Sequence, residues 1–308
     1  MNKYKLFNNI TPLHKLNFKV NHSNIWMKRD DLIDFAFGGN KVRLYEYIAG
    51  LIIEKAVNKV VTYGSKYSNY LRVTAVVCAY LNVECDLIIL DENENYSDTG
   101  GNFDLLHYLP VNLVYCPLDK AHDFIDEYKS RLDCLGVNYL WIPGGGHLPE
   151  ASFGYVDAAK EIKKQMSFFN ISFDAIFLPC GTGTTQAGLI YEFKNNVDIY
   201  GISVARTSVL CQKEILWSID QMESISNEKK SKYNVNVIHN QNEKYGFLSD
   251  TIKDTIRCIA KSDGIFLDPV YNARAFCGML NFLEDSACCK YKNILYINTG
   301  GQPNLFFR

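Results

Sequence analysis

A lysine set behind two glycines and an asparagine is the first feature with chemical promise. Gly38-Gly39-Asn40-Lys41-Val42-Arg43 stands where an apolar periodic segment begins, with Leu44, Tyr47, Ile48, Leu51 and Ile52 on one face. Glycines let backbone or a ligand approach closely. Asn40 fits a helix N-cap. A lysine at a helix N-terminus meets the positive end of the helix dipole. That field, with partial burial, favours the neutral amine. A neutral amine is a nucleophile that can form a Schiff base with a carbonyl. The competing reading is a solvated surface lysine, the commonest fate of this residue type.

Other loops could complete such a site. Gly181-Thr182-Gly183-Thr184-Thr185 follows an apolar strand and opens a helix. Successive backbone N–H groups in such a turn cradle an anion, and the helix dipole adds to the attraction. The threonine hydroxyls are further donors. The stretch lacks the Gly-Lys-Ser/Thr of a Walker A loop and the third glycine of a dinucleotide fingerprint, so a single phosphate is the natural ligand. A plain strand-to-helix turn is the alternative. Ser68-Asn69 sits at another strand-to-helix junction, where it either caps the helix or offers the same N–H groups to a carboxylate. Thr299-Gly300-Gly301 ends the last strand, and its hydroxyl can bond a ring nitrogen or cap a turn. Tyr271 follows another strand, but as one of 20 tyrosines it carries no signal alone.

The chain has 308 residues, enough for one large or two medium domains. Hydrophobic residues make up 47% and charged residues 21%, as in soluble globular proteins. A formal net charge of −2 offers no nucleic-acid footprint. No signal-peptide core or apolar run of membrane length is present, so the expectation is a cytoplasmic protein. The ten cysteines sit mostly in apolar segments without a C-x-x-C pair, which suits reduced thiols. The six histidines, His147 among them, are scattered and are read as structural or surface groups, with no metal expected.

The elements that must position these residues alternate. Residues 1–30 read as an irregular lead-in carrying one short strand at 25–28. Strands are expected at 60–62, 87–90, 112–115, 139–142, 175–178, 199–204, 235–239, 265–267 and 294–297. Helices are expected at 44–55, 70–82, 103–108, 121–135, 152–169, from 186, 207–229, 250–261 and 272–284. Residues 91–101 read as a polar surface loop. Strands alternating with helices imply βαβ units and open, twisted parallel sheets. Ligands in such sheets lie beyond the carboxyl ends of the strands, which is where each loop named above falls.

Taken in order, these stretches resemble the 1-aminocyclopropane-1-carboxylate deaminase/D-cysteine desulfhydrase family. The matching pieces are Lys28-Arg29-Asp30-Asp31, Gly38 to Arg43, Tyr67-Ser68-Asn69-Tyr70 with Arg72, Gly101-Asn102, Ile142-Pro143 with Gly145-Gly146, and Gly154-Tyr155-Val156. The most specific are Gly181 to Leu189, Asp268-Pro269-Val270-Tyr271 and Thr299-Gly300-Gly301-Gln302-Pro303. The resemblance implies a tryptophan synthase β-like α/β fold of type II with pyridoxal phosphate as cofactor. It implies a smaller domain at 44–153, a larger one made of 1–43 and 154–308, and a homodimer.

The same resemblance implies roles. Lys41 would hold the cofactor through a Schiff base and then act as base at the substrate Cα. Asn69 would bond the ring oxygen, Gly181, Thr182, Gly183, Thr184 and Thr185 the phosphate, and Thr299 the pyridine nitrogen. Ser68, with Asn69 and Tyr70 beside it, would face the substrate, and Tyr245 and Tyr271 would lie over it. A hydroxyl at the ring nitrogen, instead of a carboxylate, suits elimination of a β-leaving group. The chain departs from the family at Tyr67 and Tyr70, where Gln-Ser-Asn-His is usual, and at Asn272, where deaminases carry glutamate and desulfhydrases threonine. The expected reaction is α,β-elimination on a small, D-cysteine-like amino acid to an α-keto acid and ammonia. The alternatives are deamination of the cyclopropane amino acid and a cofactor-binding relative without turnover.

Overall fold

A computed structural model describes residues 2–20, 23–91, 100–239, 248–284 and 291–306. In chain order the strands are β1 (Leu13–Val20), β2 (Ser23–Arg29), β3 (Lys59–Gly64), β4 (Glu84–Asp91), β5 (Asn112–Pro117), β6 (Tyr139–Ile142), β7 (Ala175–Cys180), β8 (Asp198–Ser203), β9 (Asn236–His239) and β10 (Asn293–Asn298). The helices are α1 (Asn40–Glu54), α2 (Asn69–Leu81), α3 (Gly101–Leu106), α4 (Ala121–Cys134), α5 (Pro149–Phe169), α6 (Thr184–Phe193), α7 (Ser208–Ser226), α8 (Asp250–Asp263) and α9 (Asn272–Leu283). Two sheets result, ordered β1-β2-β10-β7-β8-β9 and β5-β4-β3-β6. Every neighbouring pair except β1–β2 is parallel.

Burial explains the central strands. All six residues of β7 are buried, and Ile294 to Ile297 of β10 are fully so. Such wholly apolar runs suit strands covered on both faces. The carboxyl ends of β3, β7 and β10 lead into residues 65–68, 181–183 and 299–301, which meet at one cleft.

Three expectations need correction. The lead-in is not irregular, because β1 pairs antiparallel with β2. A register break between Lys15 and Lys19 interrupts its alternation, which hides the period of 2. Residues 265–267 form no strand. Ile265 and Leu267 are buried and Phe266 is 58% exposed, so the segment lies on the core in strand-like alternation without joining a ladder. Asn40 is not the cap of α1. Gly39, at a φ of 100°, takes that place, and Asn40 is the first helical residue.

Four consecutive residues, Ala36 to Gly39, have positive φ values of 49°, 58°, 64° and 100°. This left-handed run delivers the chain into α1. At Gly39 a Cβ would stand 2.6 Å from the Thr299 carbonyl oxygen, so the lysine's helix and the end of β10 meet backbone to backbone.

Behind α1 lies a buried ionic cluster. Arg43 donates through Nη2 and Nε to the two oxygens of Asp30 at 2.8 and 3.0 Å. Tyr155 Oη and Thr11 Oγ1 donate to the same carboxylate at 2.6 and 2.8 Å. Glu161 of α5 accepts from Arg43 and from the buried Lys28. The cluster ties the end of β2 to α1 and α5.

Helix α5 also crosses α1 and α6 at glycines. A Cβ on Gly154 would stand 2.2 Å from the Arg43 carbonyl oxygen, and one on Gly188 2.2 Å from that of Ser152. Overpacking of this kind costs about 1–3 kcal/mol. Gly154→Ala is expected to lower the urea midpoint accordingly, with an unchanged m-value.

At the sheet edge, the outward N–H groups of Asn17 and Phe18 on β1 donate to the Asp263 carboxylate at 2.6 and 3.2 Å. Asp263 is the last residue of α8.

Candidate active site

The cleft has a volume of about 230 Å³ and is lined by Lys41, Ser68, Asn69, Tyr70, Tyr271, Thr299 and all of residues 181–185. The described lining residues include the cations Lys41 and Arg206 and no carboxylate. The site therefore suits an anionic ligand.

Lys41 is the second residue of α1, and its Nζ donates to the Gly145 carbonyl oxygen at 3.0 Å. Burial pushes its amine down to about 8, with Cys180 pulling weakly the other way. Loss of solvent is the cause that dominates. The lysine is thus substantially neutral at a pH where ordinary lysines are charged. The rate at which it captures a small aldehyde is expected to rise with pH, be half-maximal near pH 8 and then level off. Stopped-flow absorbance across the pH range checks this. A rate still climbing well beyond pH 9 contradicts it.

The 181–185 turn has the shape of an anion cradle. Gly183, at a φ of 86°, precedes α6 and packs so closely that a Cβ would stand 2.5 Å from Ile215 Cγ1. A Cβ on Gly181 would meet nothing within 4 Å and would project into open space. The first N–H groups of α6 have no acceptor within the helix. Thr182 Oγ1 lies 3.2 Å from Thr184 Oγ1. Thr185 Oγ1 accepts from Asn40 Nδ2 at 2.8 Å, linking the cradle to the lysine's helix.

Opposite the cradle, Ser68 caps α2 by accepting from Leu71 N at 3.3 Å. Asn69 Oδ1 accepts from Asn102 Nδ2 at 2.7 Å and Arg72 Nη1 at 3.3 Å, which leaves its amide nitrogen as the donor. Asn102 also donates to the Tyr67 carbonyl, and Arg72 to that of Gly38. These two polar residues fix the serine turn against the glycine pair. Thr299 donates from Oγ1 and from its N–H to Asn272 Oδ1 at 3.3 and 3.0 Å. Asn272 Nδ2 in turn donates to Asp268 and to the Gly300 carbonyl. Burial pushes the Asp268 carboxyl up to about 6, against backbone and side-chain donors from Val270, Tyr271 and Asn272 that favour its charge.

The structure brings together the sequence candidates, with two qualifications. Tyr245 lies outside the described residues. Tyr70 reaches the cleft as a wall: it is 2% exposed, stacks on Tyr45 at 5.8 Å and lies against Gly146. Tyr67 and Asn272, the other departures from the family, are not among the lining residues; Asn272 is fully buried behind Thr299. Sequence reasoning overlooked Arg206, which lines the cleft, and His147, which bonds Thr184 at 3.1 Å and Glu214 at 2.8 Å. The one signal for His147 was its place directly after Gly144-Gly145-Gly146.

Comparison with known proteins agrees with this geometry. A family model described as pyridoxal-phosphate-dependent enzyme matches residues 4–300. A D-cysteine desulfhydrase of Yersinia enterocolitica is 31% identical over 316 residues, spanning 98% of this chain and 94% of its own. A bifunctional D-cysteine desulfhydrase/1-aminocyclopropane-1-carboxylate deaminase of Arabidopsis thaliana is 27% identical, spanning 96% of this chain and 77% of its own. A crystallised homologue of the cyclopropane-acid deaminase superposes with a TM-score of 0.87 at 27% identity, covering 99% of this chain and 93% of that one. The donor set fits the cofactor these matches imply: a desolvated lysine amine for its aldehyde, an open cradle of N–H and hydroxyl groups for its phosphate, and neutral polar groups with the cation Arg206 elsewhere in the described lining. The chain belongs to the pyridoxal-phosphate-dependent enzymes of fold type II, in the family of the 1-aminocyclopropane-1-carboxylate deaminases and D-cysteine desulfhydrases.

Proposed function

We propose that this pyridoxal-phosphate lyase removes the α-proton and the β-substituent of a small amino acid of D-cysteine type, yielding an α-keto acid and ammonia. The observation that carries the reading is a neutral-prone lysine in a cleft whose described lining carries donors and cations but no acid. When bound, pyridoxal phosphate supplies the electron sink for the developing carbanion.

The chain's own residues do the rest. The 181–185 cradle would hold the phosphate and Lys41 Nζ the aldehyde carbon, and the Lys41 amine would then take the proton from the substrate Cα. The first-turn N–H groups of α2, with Ser68, hold the substrate carboxylate, which fixes the Cα hydrogen towards Lys41. Asn69 would donate its amide N–H to the ring oxygen. Thr299 would offer its hydroxyl to the ring nitrogen by turning its proton away from Asn272 Oδ1, which the Thr299 N–H still reaches at 3.0 Å. Asp268 is linked to Thr299 through Asn272, and its oxygens are committed to backbone N–H groups and to Asn272. A neutral partner there would leave the ring a moderate electron sink, which suits elimination better than transamination. Tyr271 stands at the substrate side of the cleft, and Tyr245 is assigned beside it on the family resemblance.

Two further assignments belong to this reading. The smaller unit, 44–153, holds the β5-β4-β3-β6 sheet, and the larger is made of 1–43 and 154–308. The enzyme acts as a homodimer in the cytoplasm, in line with eight described cysteines that are all free thiols. Among the described residues no helix is long and apolar enough to cross a membrane.

Deamination of the cyclopropane amino acid is the second reading, favoured by Tyr271 at the cleft and by the bifunctional plant relative. A panel of D-cysteine, L-cysteine, D-serine and the cyclopropane amino acid, assayed for keto acid, ammonia and sulfide, separates the two. Sulfide with keto acid from D-cysteine is expected. Turnover of the cyclopropane amino acid alone overturns the first reading, and cofactor binding without any turnover overturns both.

A further inference from the structure

We propose that His147 and Glu214 form a proton-coupled support for the phosphate cradle, so that binding of the dianionic phosphate draws a proton onto His147. The inference rests on the reading of residues 181–185 as the phosphate site. Its motive is a continuous chain of bonds: Glu214 Oε2 lies 2.8 Å from His147 Nε2, His147 Nδ1 3.1 Å from Thr184 Oγ1, and Thr184 Oγ1 3.2 Å from Thr182 Oγ1. The imidazole is held from outside by Trp217, whose ring lies 5.2 Å away. The pair is mostly sheltered, with side-chain exposures of 12% for His147 and 27% for Glu214.

The bonding options decide what the chain can do. Nε2–H donates to the Glu214 carboxylate in both states. When His147 is neutral, Nδ1 is an acceptor, and the Thr184 hydroxyl must spend its single proton there. Thr184 then faces the cradle only with lone pairs, which repel an anion. When His147 is protonated, Nδ1–H donates to Thr184 Oγ1 and frees the hydroxyl proton for a phosphate oxygen. The imidazolium then stands one hydroxyl away from the anion, and the carboxylate behind it offsets its charge. The proton comes from solvent and no bond of the cofactor changes.

The charged groups around the imidazole set the direction. Burial holds the His147 ring below its ordinary value, with Glu214 pulling up and with Arg206 and Lys41 pushing down. Without an anion, His147 is neutral at neutral pH. A dianion in the cradle raises the value. Dianion affinity is therefore greatest below the free-state value, falls between the free-state and bound-state values, and levels off above the bound-state one.

The test uses the full-length protein, stripped of and loaded with pyridoxal phosphate, with sulfate as a second probe because it remains a dianion across the neutral range. His147 is followed by imidazole nitrogen NMR, assigned with His147→Gln. The expected result is a bound-state His147 value at least one unit above the free one. The sulfate dissociation constant should rise about tenfold per pH unit between the two values. Glu214→Gln should lower the bound-state value, and His147→Gln should flatten the pH dependence up to the range near pH 8 where Lys41 itself loses its charge. If the amide signals of residues 181–185 respond to sulfate while His147 titrates unchanged, the proposal fails and the cradle stands. If those amides do not respond, the cradle itself fails and takes the proposal with it.

Discussion

Lys41→Ala is expected to lower turnover of the preferred amino acid by about 10³-fold or more, because one substitution removes the group proposed as both covalent anchor and base. The loss should fall on kcat, since the cradle, Ser68 and Asn69 keep their places and still bind ligand. The visible absorption of the lysine-bound cofactor should vanish while phosphate-dependent binding persists. Lys41→Arg makes the point more sharply. It keeps a cation in the cleft, yet guanidinium does not become neutral at any working pH. Neither variant should turn over substrate. A variant that keeps a tenth of wild-type kcat removes Lys41 from the mechanism.

Arg43→Leu is expected to destabilise the fold by about 3–5 kcal/mol, because it strands the Asp30 carboxylate in the interior. Asp30 is fully buried and gives both oxygens to the guanidinium. Burial pushes its carboxyl up, but Arg43, Lys28 and Tyr155 together hold it below the ordinary range. A depressed carboxyl contributes stability that is complete above its unfolded value of about 4 and is lost as pH falls through the folded value. Wild type should thus lose the Asp30 contribution in that acid window, and Arg43→Leu should lose the window's steepness along with the stability. Replacing both partners, Asp30→Leu with Arg43→Leu, should recover part of the loss, since no buried charge is left unpaired. Urea unfolding at neutral and acid pH measures all three. A single variant within 1 kcal/mol of wild type would falsify the structural role of the pair.

The candidate site can be named from the sequence because the features that mark it are local. Gly181 to Thr185 carries its own turn, its own donors and its own helix start, so the cradle can be read in five letters. Lys41 was legible for the same reason, with its glycines beside it. What escaped was non-local. His147 is bonded to Glu214, 67 residues further on, and nothing near either residue announces the other. Asn272 could be named as a departure, but its bond to the Thr299 hydroxyl spans 27 residues and needs the sheet to be assembled. Tyr70 follows Ser68 and Asn69 by helical steps, and only the packing of α1 shows that its ring turns to Tyr45. The strand at β1 was lost to its register break, and the strand expected at 265–267 was suggested by apolar content without a ladder to join.

The outer edge of the larger sheet bears on how concentrated a solution this protein tolerates. An open edge strand is a template on which another chain can add. Here β1 shows His14, Lys15, Asn17 and Lys19 to solvent, so an approaching copy meets like charge. The two outward amides that could start such a ladder are already occupied by Asp263. One carboxylate at the end of α8 thus blocks growth at this edge, and its loss in Asp263→Ala should appear first as slow, concentration-dependent light scattering, before any change in the cleft.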